Sequence, residues 1–135
     1  QIEILLTYLD YSLLGQSVAA TTFDLAREYG VGLILASPLA MGLLAGVPEV
    51  FETAASYGDN LPTVEKARKM WDWCLEREVN IRHLAIQFCL AAPIDGIVMP
   101  GPCNVQQVEE AYEAATDDIP ADIWSDFRAE FGIGV

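Results

Sequence analysis

Val31-Gly32-Leu33-Ile34-Leu35-Ala36-Ser37-Pro38-Leu39-Ala40-Met41-Gly42-Leu43-Leu44 is the stretch on which the reading of this 135-residue chain turns. Its first six residues are apolar at almost every position, not at every second one. A strand with one wet face alternates; a strand covered on both faces does not, and continuous apolar strands belong to parallel sheets. Ser37-Pro38 ends the run, and Gly42 and Gly46 punctuate the loop beyond it.

Two more runs of this kind flank it. Ile4-Leu5-Leu6-Thr7-Tyr8 precedes it and Gly96-Ile97-Val98-Met99 follows. Between the first two strands, Asp10 to Ser17 reads as a loop. A helix then runs from about Val18 to Tyr29, with Val18, Leu25, Ala26 and Tyr29 inward and Gly30 at its end. Pro38 to Pro62 reads mostly as loop, with Gly58 as a further break and a short helix around Glu49 to Ala55. Thr63 can cap the next helix, whose buried stripe is Val64, Ala67, Met70, Trp71, Cys74 and Leu75; Trp73 falls off it. Asn80 caps another, with Ile81, Leu84, Ala85 and Phe88 inward, and Pro93 stops it.

After the third strand, Pro100-Gly101-Pro102 turns the chain into a helix capped by Asn104. Gln107 stands three residues on, near a capping-box arrangement. Its apolar face is Val105, Val108, Ala111, Tyr112 and Ala115. Pro120 opens a last helix, with Ile123, Trp124, Phe127 and Phe131 inward, and Gly132 closes it. The order is βαβαβ with trailing helices, hence an α/β fold on a parallel sheet. A doubly wound sheet and a piece of a (β/α)8 barrel both fit. No GxGxxG follows the first strand, and no GxxxxGK[ST] occurs.

Composition narrows the functions. Seven Lys and Arg stand against 20 Asp and Glu, for a net charge of −13. Phosphate backbones and anionic membrane surfaces call for clustered cations, so neither nucleic acid nor membrane is an expected partner. Five of the seven bases (Lys66, Arg68, Lys69, Arg77, Arg82) lie in one stretch, and the residues after Val105 are acidic. Cys74, Cys89 and Cys103 form no CxxC pair and no metal-ligand spacing; they read as reduced thiols of a cytoplasmic protein. The apolar run from Leu33 to Val47 is too short and broken to cross a bilayer. Gln1 stands almost against an apolar strand, as in a chain that begins inside a fold.

The segment from Gly32 to Leu44 resembles the seventh strand and following loop of aldo-keto reductases. Gly96-Ile97-Val98-Met99-Pro100-Gly101, with Gln107-Val108-Glu109-Glu110 after it, resembles the eighth strand and its helix. Ala-Ser-Pro-Leu-Ala-Met-Gly-Leu-Leu is most similar to the aldose dehydrogenase branch, that of L-galactose, D-arabinose and L-fucose dehydrogenases. The resemblance implies that residues 1–135 are one partial domain: the C-terminal portion of a (β/α)8 TIM barrel, strands six to eight with their helices. It implies that Ser37, Pro38, Leu39, Met41, Gly42 and Leu44 wrap a cofactor pyrophosphate. It implies that Gly101, Pro102, Cys103, Gln107 and Glu110 face the adenosine, and that Tyr8 and Tyr11 sit among substrate contacts. The cofactor would be NAD in preference to NADP, because no base occurs from Ile94 to Asp126. Two departures stand out: Ala111 where relatives often carry Asn, and Ala36 where some carry an aromatic.

The family's catalytic Asp, Tyr, Lys and His lie on earlier strands than these, so the chain alone is expected to be non-catalytic. His83, Lys66 and Lys69 all fall within helices, away from strand ends. Tyr8, Asp10 and Tyr11 cluster without a cation to acidify a phenol, and read first as packing and solvation. Cys103 precedes a helix N-terminus but has no His partner, and reads as an inert thiol. Three strands cannot close a barrel, so two sheet edges and an apolar face are left open. The expected partners are therefore a nicotinamide dinucleotide and a small sugar or carbonyl substrate in a completed barrel, with an N-terminal half-barrel or a second copy at the edges. The alternatives are a non-catalytic interaction or oligomerisation module, and a free-standing nucleotide-binding domain.

Overall fold

In the computed structural model, which describes residues 2–53 and 61–135, three parallel strands form one sheet in the order β1-β2-β3. They are β1 (Ile4–Tyr8), β2 (Gly32–Ala36) and β3 (Gly96–Met99). Leu6 pairs with Ile34 and Ile34 with Ile97; Tyr8 pairs with Ala36 and Ala36 with Met99. Side chains two apart share a face. One face therefore carries Ile4, Leu6, Tyr8, Ile34, Ile97 and Met99, and the other Leu5, Thr7, Leu33, Leu35 and Val98.

The helices cover only the second face. Leu33 and Leu35 are buried, whereas Ile4, Leu6, Tyr8, Ile97 and Met99 are exposed. Gly96 marks the closest strand approach. A Cβ there would stand 1.9 Å from the Leu33 carbonyl oxygen, so only hydrogen fits.

The helices are α1 (Ser17–Thr21), α2 (Phe23–Tyr29), α3 (Glu49–Thr53), α4 (Leu61–Glu76), α5 (Ile81–Leu90), α6 (Val105–Thr116) and α7 (Ala121–Phe131). The single helix expected from Val18 to Tyr29 breaks at Thr22 (φ −123°). The Thr21 hydroxyl donates back to the Ser17 carbonyl, a bond that competes with the helix and bends it. The break shifts the inward phase: Phe23 and Ala26 are buried, while Leu25 and Tyr29 lie on the surface. Gly30 closes the helix in the left-handed conformation (φ 64°).

Helix α4 starts ahead of Thr63, which lies in its first turn and does not cap it. Pro62, expected in the loop, falls within this helix as described, Leu61–Glu76. The short helix after Pro48 is described over Glu49–Thr53; Ala54, Ala55 and Gly58 lie outside the described residues. On α4 the stripe is rotated toward Trp73. That ring is buried and meets Phe127 edge-on at 5.2 Å, while Leu75 is exposed. Helix α7 supplies the reason: Phe127 and Phe131 pack at 4.8 Å and draw the Trp73 side inward.

Asn80 caps α5 through a bond from the Arg82 N–H, as expected. Asn104 caps α6 in the same way, accepting from the Gln107 N–H. The expected inward face of α6 is largely outward. Val105, Val108 and Tyr112 are exposed, and Ala114 is the helix's buried residue against α5. Gln87 of α5 fastens the other end of α6, donating to the Ala114 and Asp117 carbonyls at 3.0 and 2.7 Å.

No helix among the described residues is long and apolar enough to cross a membrane.

Candidate functional site

Parallel strands deliver their C-terminal ends to one edge of a sheet. Here Tyr8, Ala36 and Met99 end β1, β2 and β3 side by side. A cavity of about 650 Å³ opens above them, within the range of small-molecule sites. One wall is the loop after β2, the other the turn after β3 and the start of α6.

The β2 wall has unusual backbone geometry. Ser37 (φ 66°), Ala40 (φ 48°) and Met41 (φ 56°) are left-handed without being glycine, and Gly42 (φ 93°) and Gly46 (φ 72°) follow. Such residues are uncommon singly, and three in one loop mark a chain held in place by its surroundings. The fastenings are local. The Ser37 N–H donates to the Met99 carbonyl across the sheet end at 3.2 Å. The Ala40 N–H donates to the Ser37 carbonyl, and the Gly42 and Leu44 N–H groups donate to that of Leu39. The loop is thus a set of interlocked turns anchored under Leu43 and Leu44, both buried.

On the opposite wall, Gly101 is left-handed (φ 73°), with open space where a side chain would stand. Asn104 and Gln107 then organise the entry to α6. The Gln107 side chain reaches back to accept from the Cys103 N–H at 2.7 Å. This resembles a capping box, with the return bond one residue further out than usual.

Of the sequence-predicted cofactor residues, Ser37, Leu39, Met41, Gly42, Gly101, Pro102, Cys103, Gln107 and Glu110 all line this cavity. Pro38 and Leu44 do not; both are fully buried beneath the loop. Tyr8 lines the cavity from the end of β1. Tyr11 does not join it. Its ring stacks on Phe88 at 5.1 Å and meets Phe23 at 5.2 Å, inside the core. Burial there pushes the phenol above its ordinary value, with a further rise from Cys89. The Tyr8-Asp10-Tyr11 cluster is thereby dispersed, and Asp10 accepts from the Ser17 hydroxyl at 3.2 Å instead.

The sequence reading missed Arg82. Its guanidinium Nη1 sits 2.8 Å from Glu110 Oε2, and Nη2 donates to the Ala45 carbonyl at 2.9 Å. One side chain from α5 therefore bonds to both walls. The cavity does have a cation, although none occurs from Ile94 to Asp126; it arrives from another helix. Two residues past the Asn80 cap, Arg82 looked like an ordinary surface position, and only the docking of α5 beneath the two loops turns it inward. Gln106 completes the arrangement by donating to Glu110 Oε1 at 3.0 Å.

Cys74 and Cys89 are buried, and burial pushes both thiols up to about 12. Cys103 is exposed at the cavity wall. His83 Nδ1 lies 2.8 Å from Asp117 Oδ2, tying α5 to the end of α6. That hydrogen bond holds the Asp117 carboxyl below its ordinary value. No group of three or more His, Cys, Asp and Glu residues suited to a metal ion occurs among the described residues.

Comparison with known proteins places this geometry. The model of the aldo/keto reductase family matches residues 1–129. The chain is 33% identical over 118 residues to an L-galactose dehydrogenase of Arabidopsis thaliana, covering 86% of this chain and 35% of that protein. It is 28% identical over 123 residues to a D-threo-aldose 1-dehydrogenase of a Pseudomonas species, covering 86% of this chain and 36% of that one. The fold superposes on the holo form of an aldo-keto reductase from Bacillus halodurans with a TM-score of 0.69 at 21% identity, over 97% of this chain and 43% of the other. The chain thus spans about a third of the length of the curated relatives it matches. Its three parallel strands and their helices have the fold of part of such a barrel.

Proposed function

Because this chain belongs to the aldo/keto reductase family, we propose that it is the C-terminal, cofactor-holding portion of an NAD(P)-dependent aldose dehydrogenase. The observation that carries this reading is the cavity above the three strand ends. Its walls are the two segments whose sequence resembles the family's cofactor loops. In a barrel enzyme, chemistry belongs at that end of the strands. The aldose substrate class is supported by the likeness to the L-galactose and D-threo-aldose dehydrogenases.

The residues present fit a dinucleotide. The volume is adequate, the left-handed loop fixes one wall, and Gly101 leaves room for close backbone approach on the other. In this reading the Ser37–Gly42 loop lies along the diphosphate bridge. Many of its N–H groups are already bonded within the loop, so it acts by shape and by the Ser37 hydroxyl more than by a ring of amides. Gln107 and Glu110 lie along the adenosine end, and Tyr8 borders the space left for substrate. The bound nicotinamide supplies the site that accepts or gives hydride. In this reading the proton-transfer residues come from the remainder of the barrel, since no Lys or His lines the cavity among the described residues.

The direct test is titration of the purified chain with NAD and NADP, followed by calorimetry and tryptophan fluorescence. Saturable one-to-one binding supports a cofactor portion that is formed in advance. No heat and no quenching at millimolar ligand would refute it.

A second reading, a module that associates through its open surfaces, has its own support. The face bearing Leu6, Ile97 and Met99 is uncovered, and so are the flanks formed by Leu25 and Tyr29 on α2 and by Val105 and Tyr112 on α6. Sedimentation decides it: a chain that stays monomeric at high concentration excludes self-association.

A further inference from the structure

Among the described residues that line the cavity, Arg82 and Glu110 are the two charged side chains, and they form an ion pair at 2.8 Å. Their side chains are 14% and 26% exposed, so solvent screens the pair less than a surface pair. The second nitrogen of Arg82 holds the Ala45 carbonyl of the opposite wall, which fixes the guanidinium between the two walls. Glu110 is fixed from its other side by Gln106. The cavity therefore presents a carboxylate paired with a cation, one nitrogen of which faces that carboxylate while another is held by a wall carbonyl. A phosphomonoester brought to this wall would meet Glu110 and would have to displace it from Arg82.

We propose that the Arg82–Glu110 pair determines which dinucleotide the cavity accepts, admitting the one without an additional phosphomonoester and disfavouring the one that carries it. This rests on the reading above that a nicotinamide dinucleotide occupies the cavity. Glu110 acts at the ligand. Arg82 is a positioning residue, setting the carboxylate and the distance between the walls at once. The preference thus arises from an arginine masked by its own carboxylate, not from a shortage of cations.

The test is calorimetry with NAD and NADP on four proteins: the unaltered chain, Glu110→Gln, Arg82→Lys, and the double variant Glu110→Gln with Arg82→Gln. Circular dichroism confirms that each is folded. Glu110→Gln keeps the shape and unmasks the guanidinium. Its NAD-to-NADP affinity ratio should move toward NADP by about tenfold, the increment of one charge-assisted bond. The double variant should lose that gain. Arg82→Lys keeps the charge but cannot bridge two walls with one fork, and should weaken NAD binding while largely retaining the ratio. If the unaltered chain binds NAD and Glu110→Gln leaves the ratio where it was, the pair does not set the preference, and the cofactor reading stands without it. If no protein of the four binds either dinucleotide, the cofactor reading falls and takes this inference with it.

Discussion

Gly96→Ala should destabilise this chain by about 2–4 kcal/mol, although it adds only one methyl group at an exposed position. The added carbon would stand 1.9 Å from the Leu33 carbonyl oxygen and 2.8 Å from the Leu33 carbonyl carbon. Both are backbone atoms, so no side chain can swing aside. To reach ordinary contact, β3 must retreat from β2 by roughly 1 Å or more. The Leu33 N–H bond to the Asp95 carbonyl, now 2.9 Å, would then lengthen past useful range. Losing one or two ladder bonds removes about 1 kcal/mol each, and leaving their polar groups unpaired beside a buried residue adds about 1–3. Against this stands the entropy that alanine takes from the unfolded chain, worth about 0.4–1 kcal/mol in favour of folding. The steric term is the larger, so the net sign is destabilising. Urea unfolding followed by the fluorescence of buried Trp73 and Trp124 measures it. A variant within about 0.5 kcal/mol of the unaltered chain would refute the close-approach argument.

Other outcomes follow from the same packing. Phe127→Ala, which removes a fully buried ring touching Trp73 and Phe131, should cost about 3–5 kcal/mol in the same assay. The Asp117 carboxyl is held below its ordinary value by His83, so its contribution is complete above that value and disappears as pH falls through the lowered one. Melting temperature should therefore fall less steeply below about pH 4 in Asp117→Asn than in the unaltered chain, and equal slopes would count against the pair. At mildly alkaline pH a disulfide reagent should label Cys103 alone in the folded chain and all three cysteines in urea, because burial keeps Cys74 and Cys89 protonated. Val108→Glu on the exposed face of α6 should leave stability nearly unchanged but lower light scattering at high concentration.

Strand and helix identities were legible because they rest on local signals. Unbroken apolar runs marked three parallel strands, and Asn80, Asn104, Gly30 and Gly132 marked helix ends through bonds made within a few residues. Facing was legible only where a helix stayed straight and its neighbour was the expected one. The break at Thr22 changed which residues of α2 point inward, and the aromatic cluster of α7 decided that Trp73 and not Leu75 would be buried. On α6 the apolar stripe is real, but no described element packs on it, so Val105 and Tyr112 remain in solvent. The cavity was found through two loop motifs, each contiguous in sequence. Tyr11 lies in the core and not at the cavity because three residues past a strand end the chain has already turned back toward its helices. Arg82 was missed because its partners, Ala45 and Glu110, lie 37 residues before it and 28 after.

The left-handed run after β2 also limits how this gene can drift. Ser37, Ala40 and Met41 each hold a conformation that is about 1–2 kcal/mol uphill for an L-residue and worse for a branched one. Valine, isoleucine and threonine should therefore be purged from these three codons even though they would suit the hydropathy of their surroundings. Glycine should be tolerated at each, and asparagine at the exposed Met41. A library randomised at these positions and sorted for folded protein would print the backbone angles of the loop as a table of permitted residues. The pattern should be sharpest at Ala40, where lack of space and left-handed geometry act together.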